Sequence, residues 1–138
     1  MSLEENKAVV RRFVEEVQCR HDLSAIDGLF SPDFVDYSGM SNPPTKAGSY
    51  QLFTMMFTAF PDLHVTIRQQ IAEGDKVVTY KTFRGTHGGP FMGVPATGAA
   101  MTFEVIDIVT VRDGRMIEHW MVGDMLGVMQ QITAVPAA

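Results

Sequence analysis

The chain has almost no cysteine. Cys19 is the single one among 138 residues, so no disulfide forms within the chain and a zinc–thiolate cluster is excluded with it. Long apolar runs are missing too: no stretch reaches the ~18 residues a membrane helix needs, and no signal-like segment precedes the first charged residues. Positive charge is scarce. Eleven Lys and Arg stand against sixteen Asp and Glu, for a net charge of −5, and the basic residues are scattered rather than gathered into a stripe. Neither a nucleic-acid partner nor a membrane partner is expected, and the simplest location is cytoplasmic. The four histidines (His21, His64, His87 and His119) lie too far apart for a compact metal motif, so no metal is expected. Ser, His and acid residues show no nucleophile-elbow spacing. The glycine-rich stretch from Gly85 to Gly98 has no lysine and no following helix, so it is not a phosphate cradle.

What remains is apolar: 46% of the residues are hydrophobic, enough at this length for one core and one domain spanning 1–138. Methionine is over-used, with ten in the chain. Such a set of flexible thioethers reads either as loose core packing or as a pocket that moulds itself around a flat apolar ligand.

The first half has helical periodicity. Ser2 and Glu5 have capping-box spacing, and Val10, Phe13, Val14 and Val17 share a face. A short helix fits Leu23 to Phe30, stopped by Ser31-Pro32. Phe34 to Tyr37 is a brief β-like run, Ser38 to Thr45 a loop, and Lys46 to Phe60 a third helix ended by Pro61-Asp62. The second half alternates. Strands are expected from Leu63, from Val77 to His87, from Met101 to Val111 and from Met116 to Val122. Gly88 to Ala100 is a loop with an apolar, lid-like middle at Phe91 and Met92. Met125 to Ile132 fits a closing helix, and Thr133 to Ala138 a frayed tail. Helices first and an antiparallel meander afterwards define an α+β class.

One carboxylate stands where apolar residues belong. Alternation puts Phe103, Val105, Asp107, Val109 and Val111 on the inner face of one strand, so Asp107 is either paired there or a pocket acid with a perturbed pKa. With Asp113-Gly114 as a two-residue turn, Asp107 faces Trp120, Val105 faces Val122, and Asp124 continues the same row. Asp124 also precedes a helix and fits its N-cap. The other face, with Ile106, Ile108, His119 and Met121, is mixed and suggests an isologous homodimer contact. Tyr37, His87, Phe91 and Met92 complete the candidate substrate-binding set.

Gly93-Val94-Pro95-Ala96-Thr97-Gly98, then Arg112-Asp113-Gly114-Arg115-Met116-Ile117-Glu118-His119-Trp120, then Asp124-Met125-Leu126-Gly127 resemble the SnoaL-like polyketide (ester) cyclase family. The resemblance implies a cone-shaped fold, shared with ketosteroid isomerase and nuclear-transport-factor-like proteins, in which a curved antiparallel sheet and helices enclose one apolar cavity. It also implies an acid/base aspartate just after the last strand, here Asp124, acting without cofactor in an intramolecular aldol ring closure of a small apolar substrate. The position matching Asp107 is a histidine in a characterised cyclase, which leaves a second catalytic role for Asp107 open. An apolar environment is expected to raise the carboxylate's pKa and sharpen it as a base. Rival readings on the same cone are a ketosteroid-isomerase-like proton shuttle, an epoxide hydrolase using Arg84, Asp107 and Asp124 around a water, and a non-catalytic binding module.

Overall fold

The computed structural model describes residues 1–133, so the part of the expected tail from residue 134 lies outside the described residues. The Ser2 hydroxyl accepts the Glu5 N–H at 3.0 Å and starts α1, Leu3–Arg12. The helix then widens into a π-helix over Phe13–Cys19, which buries Phe13, Val14, Val17 and Gln18. A 3-10 turn at Leu23–Ala25 leads into α2, Ile26–Leu29. The helix expected to reach Phe30 stops one residue earlier, because Phe30 already has extended backbone and opens β1, Phe30–Asp36. Helix α3 spans Lys46–Ala59, with Thr45 as its cap. Then come β2 (His64–Glu73), β3 (Lys76–Thr86), β4 (Ala100–Arg112), β5 (Arg115–Gly123) and α4 (Met125–Thr133). No helix among the described residues is long and apolar enough to cross a membrane.

The five strands form one curved, unclosed sheet in the order β1-β5-β4-β3-β2. The expected meander holds for β2 to β5. The edge strand does not follow it: β1 runs parallel to β5, so the sheet is mixed. The reason is topological, since β1 reaches β5 only through helix α3 and three intervening strands, and such crossovers permit parallel pairing. The helices lie on one side: α1 and the π-helix pack over β2, α3 over β1, and α4 over β4. On that side Val77, Lys81, Phe83, Phe103, Val105, Asp107 and Val109 are all buried, so the inner face of β4 is the one alternation indicates.

The β4–β5 pairing departs from the regular hairpin. Asp113 and Gly114 both have positive φ, 52° and 77°, and form the tight turn, with Arg112 opposite Arg115 and Val111 opposite Met116. One step on, Thr110 pairs with Glu118, which leaves Ile117 as an extra residue, a β-bulge. Every later side chain of β5 is therefore turned to the other face. His119 and Met121 come inside, opposite Val109 and Asp107; Trp120 and Val122 go outside, opposite Ile108 and Ile106. On that outer face Val122 is 78% exposed and Trp120 stacks on Tyr37 at 5.1 Å. Ile71, Ile106 and Ile108 are exposed beside them.

The segment between β1 and α3 is tightly held. The Asp36 N–H donates to the Pro44 carbonyl at 3.0 Å, and the first turn of α3 presses Gly48 against the Pro43 carbonyl, into which any Cβ would run. Gly48→Ala should therefore destabilise the fold by roughly 1–3 kcal/mol, the usual range for forced overpacking. Urea unfolding checks this; an unchanged midpoint would show that the loop yields freely.

Candidate active site

Between the helices and the inner face of the sheet lies a cavity of about 70 Å³. Its wall is largely apolar, with Phe13, Phe30, Phe34, Phe53, Phe83 and Phe103 on it. Five methionines also line it: Met40, Met56, Met116, Met121 and Met125. Half of the chain's ten methionines thus gather here. Polar groups gather at one place on the wall, where Asp36, Ser38, Asp107 and His119 meet.

Asp107 is 2% exposed on β4 and takes the Lys81 ammonium from β3 at 2.7 Å on Oδ2. Lys81 is itself 1% exposed, and its Nζ also donates to Gln18 Oε1 at 3.2 Å. The other Asp107 oxygen, Oδ1, is buried with no hydrogen-bond partner, and Asp107 lines the cavity. Burial alone would raise this carboxyl's pKa. The Lys81 charge and His119 outweigh it and hold the group below its ordinary value, so it is ionised. Burial in the apolar wall does not decide this group's pKa, because the Lys81 cation beside it acts the other way.

His119 bridges two carboxylates. Its Nδ1–H donates to Asp36 Oδ1 at 3.1 Å, and Nε2 stands 3.7 Å from Asp107 Oδ2, too far for a hydrogen bond but close for an ion pair. Burial lowers the imidazole pKa, yet Asp107 and Asp36 outweigh it and raise it above the ordinary value. Asp36, at the end of β1, accepts the Ser38 N–H at 2.9 Å and the Ser41 hydroxyl at 2.6 Å. Against its own burial, the His119 bond and these serine bonds hold the Asp36 carboxyl far below the usual carboxylate range. With His119 protonated, Lys81, Asp107, His119 and Asp36 form a row of alternating charge whose sum is zero.

Of the residues singled out in the sequence, Phe103, Val105 and Asp107 line the cavity. Trp120 and Val122 do not, because the bulge at Ile117 turns them outward. His119, expected on the outer face, is inside for the same reason. Tyr37 lies outside against Trp120. His87 is buried elsewhere: its Nδ1 meets Thr97 Oγ1 at 2.9 Å and its ring packs on Phe60. Phe91 packs on Phe60 as well, and Met92 is 61% exposed. The Gly88 and Gly89 N–H groups both donate to the Ala59 carbonyl, so the apolar loop is fastened to the end of α3 and does not cover the cavity. Asp124 is exposed, and its Oδ1 accepts the Gly127 N–H at 2.8 Å, the geometry of an N-cap for α4. Arg84 is exposed too and does not join Asp107 and Asp124 in one set.

Lys81, Asp36 and the inward His119 escape the sequence reading. Two signals pointed to them. Alternation along Val77, Thr79, Lys81 and Phe83 puts a lysine on the buried row one strand from Asp107. A regular hairpin would also bury Glu118 opposite Val109, a cost that the bulge relieves. Among the described residues no group of three or more His, Cys, Asp or Glu side chains is arranged to hold a metal ion.

A curved, unclosed five-strand sheet packed against helices matches the nuclear-transport-factor-like class of α+β folds. The chain belongs to the SnoaL-like polyketide cyclase family, whose model matches residues 8–132. Among solved structures, TsrD from Streptomyces laurentii is similar at 25% identity and a TM-score of 0.88, over 98% of this chain and 99% of that one. AclR from Streptomyces galilaeus, described as a candidate hydroxylase, is 32% identical with a TM-score of 0.86, over 99% and 86%. IdmH from Streptomyces antibioticus, described as a candidate polyketide cyclase, is 30% identical with a TM-score of 0.80, over 91% and 96%. A search of curated proteins returns no match.

The charge row makes stability depend on pH. Asp36 and Asp107 have lowered pKa values, so their contribution is complete above the ordinary carboxylate value of 3.8 and is lost as pH falls below it. The raised His119 contributes fully below its ordinary 6.5 and loses that contribution as pH rises through its folded-state value. Thermal melting should therefore peak between those limits and decline on the alkaline side, and His119→Gln should flatten the alkaline decline. An alkaline decline that persists unchanged in His119→Gln would contradict the raised pKa.

Proposed function

We propose that this chain is a cofactor-independent acid–base enzyme acting on a flat, uncharged, apolar carbonyl compound, with Asp107 as base and His119 as acid. The observation that carries it is the buried Asp107 in the wall of an apolar cavity beside His119, with its Oδ1 left without a hydrogen-bond partner. A proton on carbon between two carbonyls is acidic enough for one carboxylate to remove it without a metal. A carboxylate held at low pKa is a weak base, so it needs help. The imidazolium supplies that help by protonating oxygen as charge develops there.

In an aldol ring closure, Asp107 Oδ1 takes the carbon-bound proton and the pair of electrons passes into the enolate. The enolate carbon attacks a second carbonyl, one C–C bond forms, and that carbonyl's π pair becomes an alkoxide. His119 Nε2–H protonates the alkoxide. Transfer of the proton from Asp107 to the neutral imidazole then restores the resting site. The cavity holds both ends of one molecule together, which makes closure a matter of proximity. Asp124 in this reading caps α4 and has no part in proton transfer.

The test uses a simple carbon acid, 2-tetralone, followed by NMR for deuterium uptake at its α-carbon in D₂O. Catalysed exchange should fall by roughly two to four orders of magnitude in Asp107→Asn and in His119→Gln, the usual worth of a positioned acid or base. In Asp124→Asn, which still caps a helix, it should stay within a few-fold of wild type. Exchange lost in Asp124→Asn and kept in Asp107→Asn would move the base to Asp124. Binding without exchange would make the domain a binder only.

We also propose that the outer sheet face pairs with a second copy of the chain. Tyr37, Ile71, Ile106, Ile108 and Val122 leave an apolar area uncovered there, larger than a lone surface residue would. Light scattering at micromolar concentration should give twice the monomer mass; the monomer mass would reject the dimer.

A further inference from the structure

Lys81 is the most deeply buried cation of the described residues, and the proton-transfer scheme leaves it unused. It lies behind the reacting carboxylate, away from the cavity wall. Each direction around its Nζ is taken: Asp107 Oδ2 at 2.7 Å, Gln18 Oε1 at 3.2 Å, and the face of the Phe13 ring at 5.1 Å from the centroid. An ammonium has three N–H donors, so two carry hydrogen bonds and the third side meets a π face. None is left for a ligand, and Lys81 is not a catalytic residue.

We propose that Lys81, steered by Gln18, is a positioning residue that fixes Asp107 in the cavity wall with Oδ2 occupied and Oδ1 left without a partner. The proposal rests on the reading of Asp107 as the base, but its geometry stands without it. A free carboxylate flips about its terminal torsion, which is broad. A short charge-assisted bond to one oxygen stops that rotation. Gln18 aims the ammonium, and it does so from the π-helix Phe13–Cys19, whose wider turn brings both Phe13 and Gln18 to face Lys81. Single π turns inside helices recur at functional sites for this kind of side-chain placement.

The charge balance gives Lys81 a second effect. Lys81, Asp107, His119 and Asp36 sum to zero at rest, which suits an uncharged substrate. When Asp107 accepts a proton its negative charge disappears, and the surroundings become net positive as the enolate becomes negative. Lys81 thus favours the charged state of the substrate without touching it. The titratable groups facing Asp107 are Lys81 from β3 and His119 from β5, the latter backed by Asp36 from β1; the π-helix contributes the uncharged Gln18.

A substrate-free titration tests this. Protein labelled with ¹³C at the aspartate side-chain carboxyl is followed by NMR from pH 8 to pH 3, and the Asp107 signal is assigned by its loss in Asp107→Asn. In the wild type the signal should remain that of a carboxylate down to the ordinary carboxylate value of 3.8. In Lys81→Met, which keeps the bulk and removes the charge, the midpoint should rise by about two pH units as burial takes over. Should Lys81→Met fail to fold, Gln18→Glu reads the same interaction by offering the ammonium a second carboxylate, and the midpoint should rise by about one unit. An unchanged midpoint in whichever variant folds overturns the proposal. Since no substrate is present, absence of catalysed 2-tetralone exchange in the wild type alongside the expected titration counts against the base assignment alone. Exchange without the titration shift counts against Lys81 alone.

Discussion

The structure depends on burying four charges in a row. An ionised carboxylate or ammonium left alone inside a fold is prohibitively costly, and removing one member of a buried pair commonly costs 3–5 kcal/mol. Here Lys81, Asp107, His119 and Asp36 come from four different strands, each neutralising its neighbour. The row therefore ties β1, β3, β4 and β5 together at the cavity and demands one register between them. The bulge at Ile117 supplies that register, since without it His119 would face outward and Asp36 and Asp107 would lose their shared cation. Such a row is weak evidence for stability but a stringent condition on geometry.

Around this polar spot the cavity is small and soft. About 70 Å³ is well under the ~300 Å³ at which sites for drug-sized ligands begin, so a ligand has to move the wall. Methionines from the loop after β1, from α3, from β5 and from α4 make up much of that wall, and their unbranched thioethers change rotamer at little cost. Rigid charge and pliable lining divide the work. The strands hold the charged groups in one register, and the methionines make the wall beside them deformable.

Much of the fold is legible in the sequence, and the reason differs from part to part. Ser2, Pro61 and the Asp113-Gly114 pair act locally, so the helix start, the helix end and the tight turn follow from residue chemistry. The inner face of β4 follows from alternation, and with it the placement of Phe103, Val105 and Asp107. What fails is non-local. A single extra residue in β5 is invisible to a turn-based register, and it exchanges Trp120 and Val122 for His119 and Met121 at the cavity. The parallel pairing of β1 is non-local too, and it alone brings Asp36 to His119. Family resemblance names the domain and its fold, but it directs attention to Asp124, which stands exposed at the start of α4.

Neutron diffraction reads the proton arrangement directly, an unprotonated Asp107 Oδ1 beside a doubly protonated His119. Below pH 6.5, the ordinary imidazole value, crystals exchanged into D₂O should show deuterium on both His119 nitrogens and three deuterons on Lys81 Nζ. No deuterium should lie on either oxygen of Asp107. Nuclear density on Asp107 Oδ1, or a His119 ring with one bare nitrogen, would contradict the account.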